Sequence, residues 1–151
     1  MDAYHELAAS YDRLTNDVDY EATVEFYYEI LKQEGLTPRT AVDLACGTGS
    51  VTAILAKKGL RVIGVDMSEE MLTVAQQKAS DLENQPFFLC QPLQELYLPR
   101  AVDMAVCALD SLDYINKTRP FVNCETYTPI CYRIIGLNAR QKKKVSKVFK
   151  K

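Results

Sequence analysis

The sequence predicts an α/β fold, a doubly wound parallel sheet with helices between its strands, and three observations lead there. Short β-rich apolar runs alternate with stretches of helical period, as they do when each strand is followed by a crossover helix. The apolar runs are continuous rather than alternating, which suits strands buried on both faces. The first run ends in a glycine-rich turn that opens directly into a helical pattern, the signature of a strand-turn-helix unit at the edge of a ligand crevice. At 151 residues the chain is long enough for one globular domain with a real core and too short for two.

The elements follow in order. Val24, Tyr27, Tyr28 and Leu31 recur at spacings of three and four, so residues 19 to 34 read as an amphipathic helix, with Asp19 as its N-cap and Gly35 as its stop. Thr40 to Ala45 form the first strand. Gly47 and Gly49 break it, and Val51, Ile54 and Leu55 resume a helical period until Gly59. Arg61 to Val65 form a second strand. Ser68 then caps a helix whose first turn carries Glu69 and Glu70, where the helix dipole favours acids. Phe87 to Cys90 give a third strand and Ala101 to Leu109 a fourth. Ile130 to Ile135 is the one later segment able to add a strand, beside the fourth.

Charge divides the chain. Residues 1 to 116 hold 8 Lys and Arg against 19 Asp and Glu, whereas residues 117 to 151 hold 10 against the single acid Glu125. The tail cluster of Arg140, Lys142, Lys143, Lys144, Lys147, Lys150 and Lys151 opens a nucleic-acid-binding reading, countered by a single aromatic, Phe149, on which bases could stack. The five cysteines are odd in number and none pair as C-x-x-C, so neither a disulfide framework nor a metal site is indicated. Cys90 and Cys107 read as small buried hydrophobes. No apolar stretch reaches the length of a membrane span and the first residues lack the order of a secretory signal, which gives the expectation of a cytoplasmic protein without a membrane partner.

Ligands of open parallel sheets bind just beyond the carboxyl ends of the strands. After the first strand, Gly47 and Gly49 let a ligand approach the backbone at a helix N-terminus. After the second comes Asp66, seventeen positions beyond Gly49, an acid able to accept hydrogen bonds from both hydroxyls of a ribose. A dinucleotide site reads G-x-G-x-x-G, but Thr52 stands where the third glycine belongs. Asp43 precedes the turn, and Asp110 and Asp113 follow the fourth strand. Carboxylates there repel a pyrophosphate and suit a ligand that carries an ammonium and a sulfonium, which favours S-adenosylmethionine over NAD.

The segment Val42-Asp43-Leu44-Ala45-Cys46-Gly47-Thr48-Gly49 resembles the first motif of class I methyltransferases, and Val65-Asp66-Met67-Ser68 resembles the second. Tyr4 to Ala8, Tyr11-Asp12 and Asp19-Tyr20 are similar to the N-terminal cap of small bacterial methyltransferases of unassigned substrate, and Ala108-Leu109-Asp110-Ser111-Leu112-Asp113-Tyr114 to the family's fourth-strand motif. The resemblance spans residues 1 to about 116. It implies a Rossmann-like core with an N-terminal helical cap over residues 1–116, and an atypical basic segment of the same domain over 117–151. It implies further that Asp43 holds the methionine amino group, directly or through water, and that the turn at Ala45, Cys46, Gly47 and Gly49 faces the methionine part. Asp66 would hold the ribose, Met67 would pack on the adenine, and Gln91, Pro92 and Leu93 would flank its edge. Tyr11 and Tyr20 would close the site from the cap, with Ala108 at the end of the fourth strand. The chain departs from the family at Pro92, where an acid often stands, at Asp113, where Asn is commoner, and in its ending, which matches none of the further strands and helices of the family.

The activity so implied is methyl transfer from S-adenosylmethionine to an unidentified acceptor, by in-line displacement at the sulfonium, with positioning supplying much of the rate. Where the acceptor is an oxygen or an amine, a base must take its proton, and Asp110 and Asp113 are the catalytic candidates. Two rival readings stay open: a cofactor-binding but inactive fragment, and the nucleic-acid-binding module. A sheet that stops after its fourth strand would leave apolar surface at Val102, Met104 and Val106 exposed or covered by a partner chain, hence a homodimer or a marginally stable monomer, unless residues 117 to 151 cover it.

Overall fold

The structure is a computed structural model that describes residues 10–108 and 134–135. A helix whose described part is residues 10–14 (α1) leads into α2 (Tyr20–Gln33). Then follow β1 (Thr40–Leu44), α3 (Ser50–Lys57), β2 (Arg61–Asp66), α4 (Glu69–Ala79), β3 (Phe87–Cys90), a 3-10 turn at Leu93–Glu95, β4 (Met104–Val106) and β5 (Ile134–Ile135). The helix starts are those the sequence marks. The Asp19 carboxylate accepts from the Ala22 amide at 2.9 Å and the Ser68 hydroxyl oxygen from the Met71 amide at 3.2 Å, each satisfying an amide that has no partner within its helix.

The strands form one parallel sheet in the order β3-β2-β1-β4-β5. From β1 the chain winds outward through β2 to β3, then crosses back to place β4 on the other side of β1. The strand order therefore reverses between β1 and β4, and the crevice for a ligand opens at their carboxyl ends. The center of the sheet is buried on both faces. Ala41, Val62, Met104 and Val106 pack under Val24, Tyr27 and Leu31 of α2 and Val51, Ile54 and Leu55 of α3. Val42, Leu44, Val65 and Ala105 face the other way, onto Leu98 and Val102, with Leu93 and Leu96 against them. Helix α4 lies beside α3, its buried residues being Leu72, Ala75 and Ala79. Thus one face carries helices, while in the described residues the other is closed by the irregular stretch after β3.

Four expectations need correction. The fourth strand is shorter than 101–109: the Asp103 carboxylate accepts from the backbone amides of Arg39 (2.8 Å) and Thr40 (3.1 Å), and the Asp103 amide donates to the Thr40 hydroxyl (2.9 Å). These bonds brace the strand's approach in place of ladder bonds, and Leu109 lies outside the described residues. The third strand is not buried on both faces, because it is the sheet's edge; Phe87 is 62% exposed. For the same reason Cys90 is exposed rather than buried, whereas Cys107, at the end of the interior β4, is buried. Finally, Val102, Met104 and Val106 are buried, the last fully. They pack within the chain rather than standing exposed, and β5 pairs in parallel with β4, Ala105 opposite Ile134 and Val106 opposite Ile135. Among the described residues no helix is long and apolar enough to cross a membrane.

Candidate functional site

Strand β1 ends at Leu44, and the turn that follows is built from backbone conformations that few side chains tolerate: Ala45, Gly47 and Gly49 all have positive φ, at 53°, 55° and 75°. The two glycines serve different ends. A Cβ on Gly47 would meet only a ring carbon of Tyr11, at 3.9 Å, so this glycine borders open space. A Cβ on Gly49 would stand 2.9 Å from the Ala75 Cβ, so Gly49 permits α3 to pack on α4 rather than a ligand to approach.

Open space on the Gly47 side forms a pocket of about 380 Å³ including its open mouth, lined by Tyr11, Tyr20, Asp43, Ala45, Cys46, Gly47, Thr48, Ser50, Val51 and Ala108. Its residues come from α1, α2, the end of β1, the start of α3 and the end of β4, which is where the strand order reverses. Asp43 is the least exposed of them, at 1%. Its carboxylate accepts from the Thr52 hydroxyl at 2.6 Å and from the Thr52 backbone amide, so a side chain of β1 caps α3, whose own N-cap residue, Gly49, has no side chain to do so. Burial raises the Asp43 pKa from 3.8 to about 7, against the Thr52 hydrogen bonds, which lower it. The Cys46 thiol is pushed well up, first by burial and then by the carboxylates of Asp43 and Asp66; it stays protonated and serves as wall, not nucleophile. Burial, with Tyr20 and two carboxylates nearby, also raises the Tyr11 phenol.

The pocket thus gathers seven of the thirteen residues expected to bind the cofactor: Tyr11, Tyr20, Asp43, Ala45, Cys46, Gly47 and Ala108. Gly49, Asp66, Met67, Gln91, Pro92 and Leu93 do not line it. Asp66 stands directly behind the turn, where its two carboxylate oxygens accept from the amides of Gly47 (2.9 Å) and Ser68 (3.0 Å). Met67 projects from the next position, 75% exposed. The Gln91 amide donates to the Asp66 carbonyl at 2.9 Å, and the Gln91 side chain is tied to the Tyr97 backbone in both directions. These residues form a shelf along the ends of β2 and β3, adjoining the pocket across the Gly47 turn. Asp110 and Asp113, the base candidates, lie outside the described residues, as does the basic tail cluster of residues 140–151. Sequence reasoning missed Thr48, Ser50 and Val51 among the lining, Thr52 beneath Asp43, and Lys78. Thr52 had a visible signal, nine positions after Asp43 and one turn into the helix; Lys78 had none, because its partners are distant in sequence.

A doubly wound sheet with a glycine turn after β1, an acid closing β2 and a pocket capped by an N-terminal helix has the architecture of class I methyltransferases. The family profile described as methyltransferase domain matches residues 41–125, and the chain belongs to that family. It is similar to YqeM of Bacillus subtilis (strain 168), named as a methyltransferase, with 35% identity over 134 residues, 87% of this chain and 51% of the relative. A solved S-adenosylmethionine-dependent methyltransferase from Clostridium acetobutylicum ATCC 824 is 36% identical at a TM-score of 0.65, over 74% of this chain and 46% of that one. The magnesium protoporphyrin IX methyltransferase of Synechocystis PCC 6803, solved with bound SAM, is 32% identical at a TM-score of 0.52, over 63% of this chain and 46% of that one. The chain spans about half the length of the curated relatives it matches. S-adenosylmethionine is accordingly the cofactor of the family to which it belongs.

Proposed function

We propose that the chain binds S-adenosylmethionine across the Gly47 turn and takes part in methyl transfer to an acceptor still to be identified, in the cytoplasm. The observation that carries this reading is the pairing of a buried carboxyl at the pocket with a carboxylate on the shelf behind the same turn, Asp43 and Asp66. Bound there, the cofactor would supply a methyl group activated by its sulfonium. Asp43, which alone among the pocket's residues brings a buried acid, would receive the ammonium of the methionine part, while the open side of Gly47 leaves room for its chain. Asp66 would accept from the ribose hydroxyls with the lone pairs that the Gly47 and Ser68 amides leave free, since a carboxylate offers about four acceptor sites. Met67 and the Gln91 to Leu93 stretch would border the adenine. Tyr11 and Tyr20 would cover the pocket and keep water from the reacting center.

Calorimetric titration with S-adenosylmethionine and with S-adenosylhomocysteine tests this. Both should bind, NAD should bind more weakly than either, and Asp66→Ala should weaken binding by roughly 1.5–3 kcal/mol, the range for hydrogen bonds to a charged group. A folded Asp66→Ala variant of unchanged affinity would remove Asp66 from the site, and tighter binding of NAD would overturn the reading. Binding without turnover on any acceptor would favour the alternative of an inactive fragment.

A further inference from the structure

Lys78 sits in the last turn of α4, where a lysine ordinarily extends into water and gains a little from the helix dipole. Here it turns instead toward the glycine-turn face. Its Nζ lies 2.7 Å from Asp12 Oδ2, 3.2 Å from the Thr48 hydroxyl oxygen and 3.0 Å from the Ser50 hydroxyl oxygen. The three donors of an ammonium are thereby matched by three acceptors. The Thr48 hydroxyl in turn donates to Asp12 Oδ1 at 2.6 Å. Asp12 belongs to α1, while Thr48 and Ser50 flank the N-cap of α3 at the end of the turn, so one side chain of α4 ties α1 to the turn, three segments far apart in sequence. The residue beside Asp12 is Tyr11, whose ring is the nearest group to the open side of Gly47.

We propose that Lys78 is a positioning residue: by clamping Asp12 and Thr48 it holds the Tyr11 segment over the mouth of the pocket and so sets how fast the cofactor leaves. This inference rests on the cofactor-binding reading above. Departure past the Tyr11 ring requires α1 to swing away, and that motion must break the Lys78 to Asp12 ion pair and the Thr48 hydrogen bond together. Lys78 itself does not line the pocket, and among the described residues its hydrogen bonds to lining groups are those to the Thr48 and Ser50 hydroxyls, so its loss should act on the lid more than on the contacts beneath it.

The test measures S-adenosylhomocysteine dissociation by surface plasmon resonance for the intact chain, for Lys78→Met, and for the charge-swapped pair Asp12→Lys with Lys78→Asp. Hydrogen exchange of the peptide spanning residues 10–18 is followed in the absence of ligand. Lys78→Met should speed dissociation by about two- to fivefold, the range expected for a half-exposed ion pair, with association little changed, and should accelerate exchange in that peptide. The charge-swapped pair should recover part of both effects. Wild-type binding with unchanged dissociation and unchanged exchange in Lys78→Met would overturn the clamp. If the wild-type chain fails to bind, the cofactor reading fails separately, and the exchange measurement alone then supports or overturns the clamp.

Discussion

Asp43 answers two demands with one carboxyl. It caps α3 through the hydroxyl and amide of Thr52, and it also presents an acid to the pocket from a site with almost no contact with water. Burial holds its pKa near 7 in the ligand-free fold, above the ordinary 3.8, so the folded state prefers the protonated form. The stability this group contributes is fully present below about pH 4 and is lost as pH rises through about 7. Melting temperature of the ligand-free chain should decline across that window, and Asp43→Asn should flatten the decline. A bound ammonium reverses the preference, because it stabilises the carboxylate. Affinity for S-adenosylhomocysteine should therefore tighten between pH 5.5 and 7.5, by up to about tenfold per unit below the pKa. Asp43→Asn should bind weakly and without this dependence; an affinity that is flat with pH in the wild type would separate Asp43 from the ammonium.

Among the elements, α3 and α4 show how the turn is held in shape from behind. Gly49 brings the two helices together where a methyl group has no room, at 2.9 Å from the Ala75 Cβ and 3.6 Å from a ring carbon of Phe88. Phe88 in turn lies over Gly64 of β2, where an added Cβ would stand 2.7 Å from its ring. The phenyl group, the two glycines and Ala75 thus form one packed unit under the site. Gly49→Ala should destabilise the fold by about 1–3 kcal/mol through overpacking, with a further ~1–2 kcal/mol for the left-handed backbone. Urea denaturation measures the sum, and adding Ala75→Gly should recover the first part and leave the second. No loss at all would show that the helices do not depend on this contact, and full recovery would show that the left-handed backbone adds no cost of its own.

For the whole molecule, the decisive element is the shortest. β5 lies beside β4 and gives the interior strand a parallel neighbour on its outer side, which shields the backbone groups that an edge would expose. A chain ending at residue 133 lacks β5, and its melting temperature should fall while self-association rises. A chain ending at residue 136 keeps β5 and separates the strand from the basic tail. Light scattering and thermal melts of the two truncations check this. If the chain ending at 133 matches the chain ending at 136 in both, β5 adds nothing to the sheet. A loss that appears only in low salt and in both truncations would instead assign the stabilisation to the tail's charge.

The sequence by itself determined the order of strands and helices, because the 3.6 and continuous apolar patterns and the caps at Asp19 and Ser68 are local, and each is written within a few residues. It also marked the turn and the two acids, since glycines with positive φ and an acid at the end of a strand leave a signal in short motifs. Burial of the individual strands was decided elsewhere. Phe87 to Cys90 and Met104 to Val106 are similar apolar runs, and only the strand order, with β3 outermost and β4 inside, makes Cys90 exposed and Cys107 buried. The division of labour between Gly47 and Gly49, one facing the pocket and the other Ala75, depends on a helix twenty-six positions away. The same holds for Lys78, which reaches Asp12, Thr48 and Ser50 only once α1, the turn and α4 have been brought to one place. Contacts of this kind are set by packing between distant segments, and no periodicity or spacing along the chain encodes them.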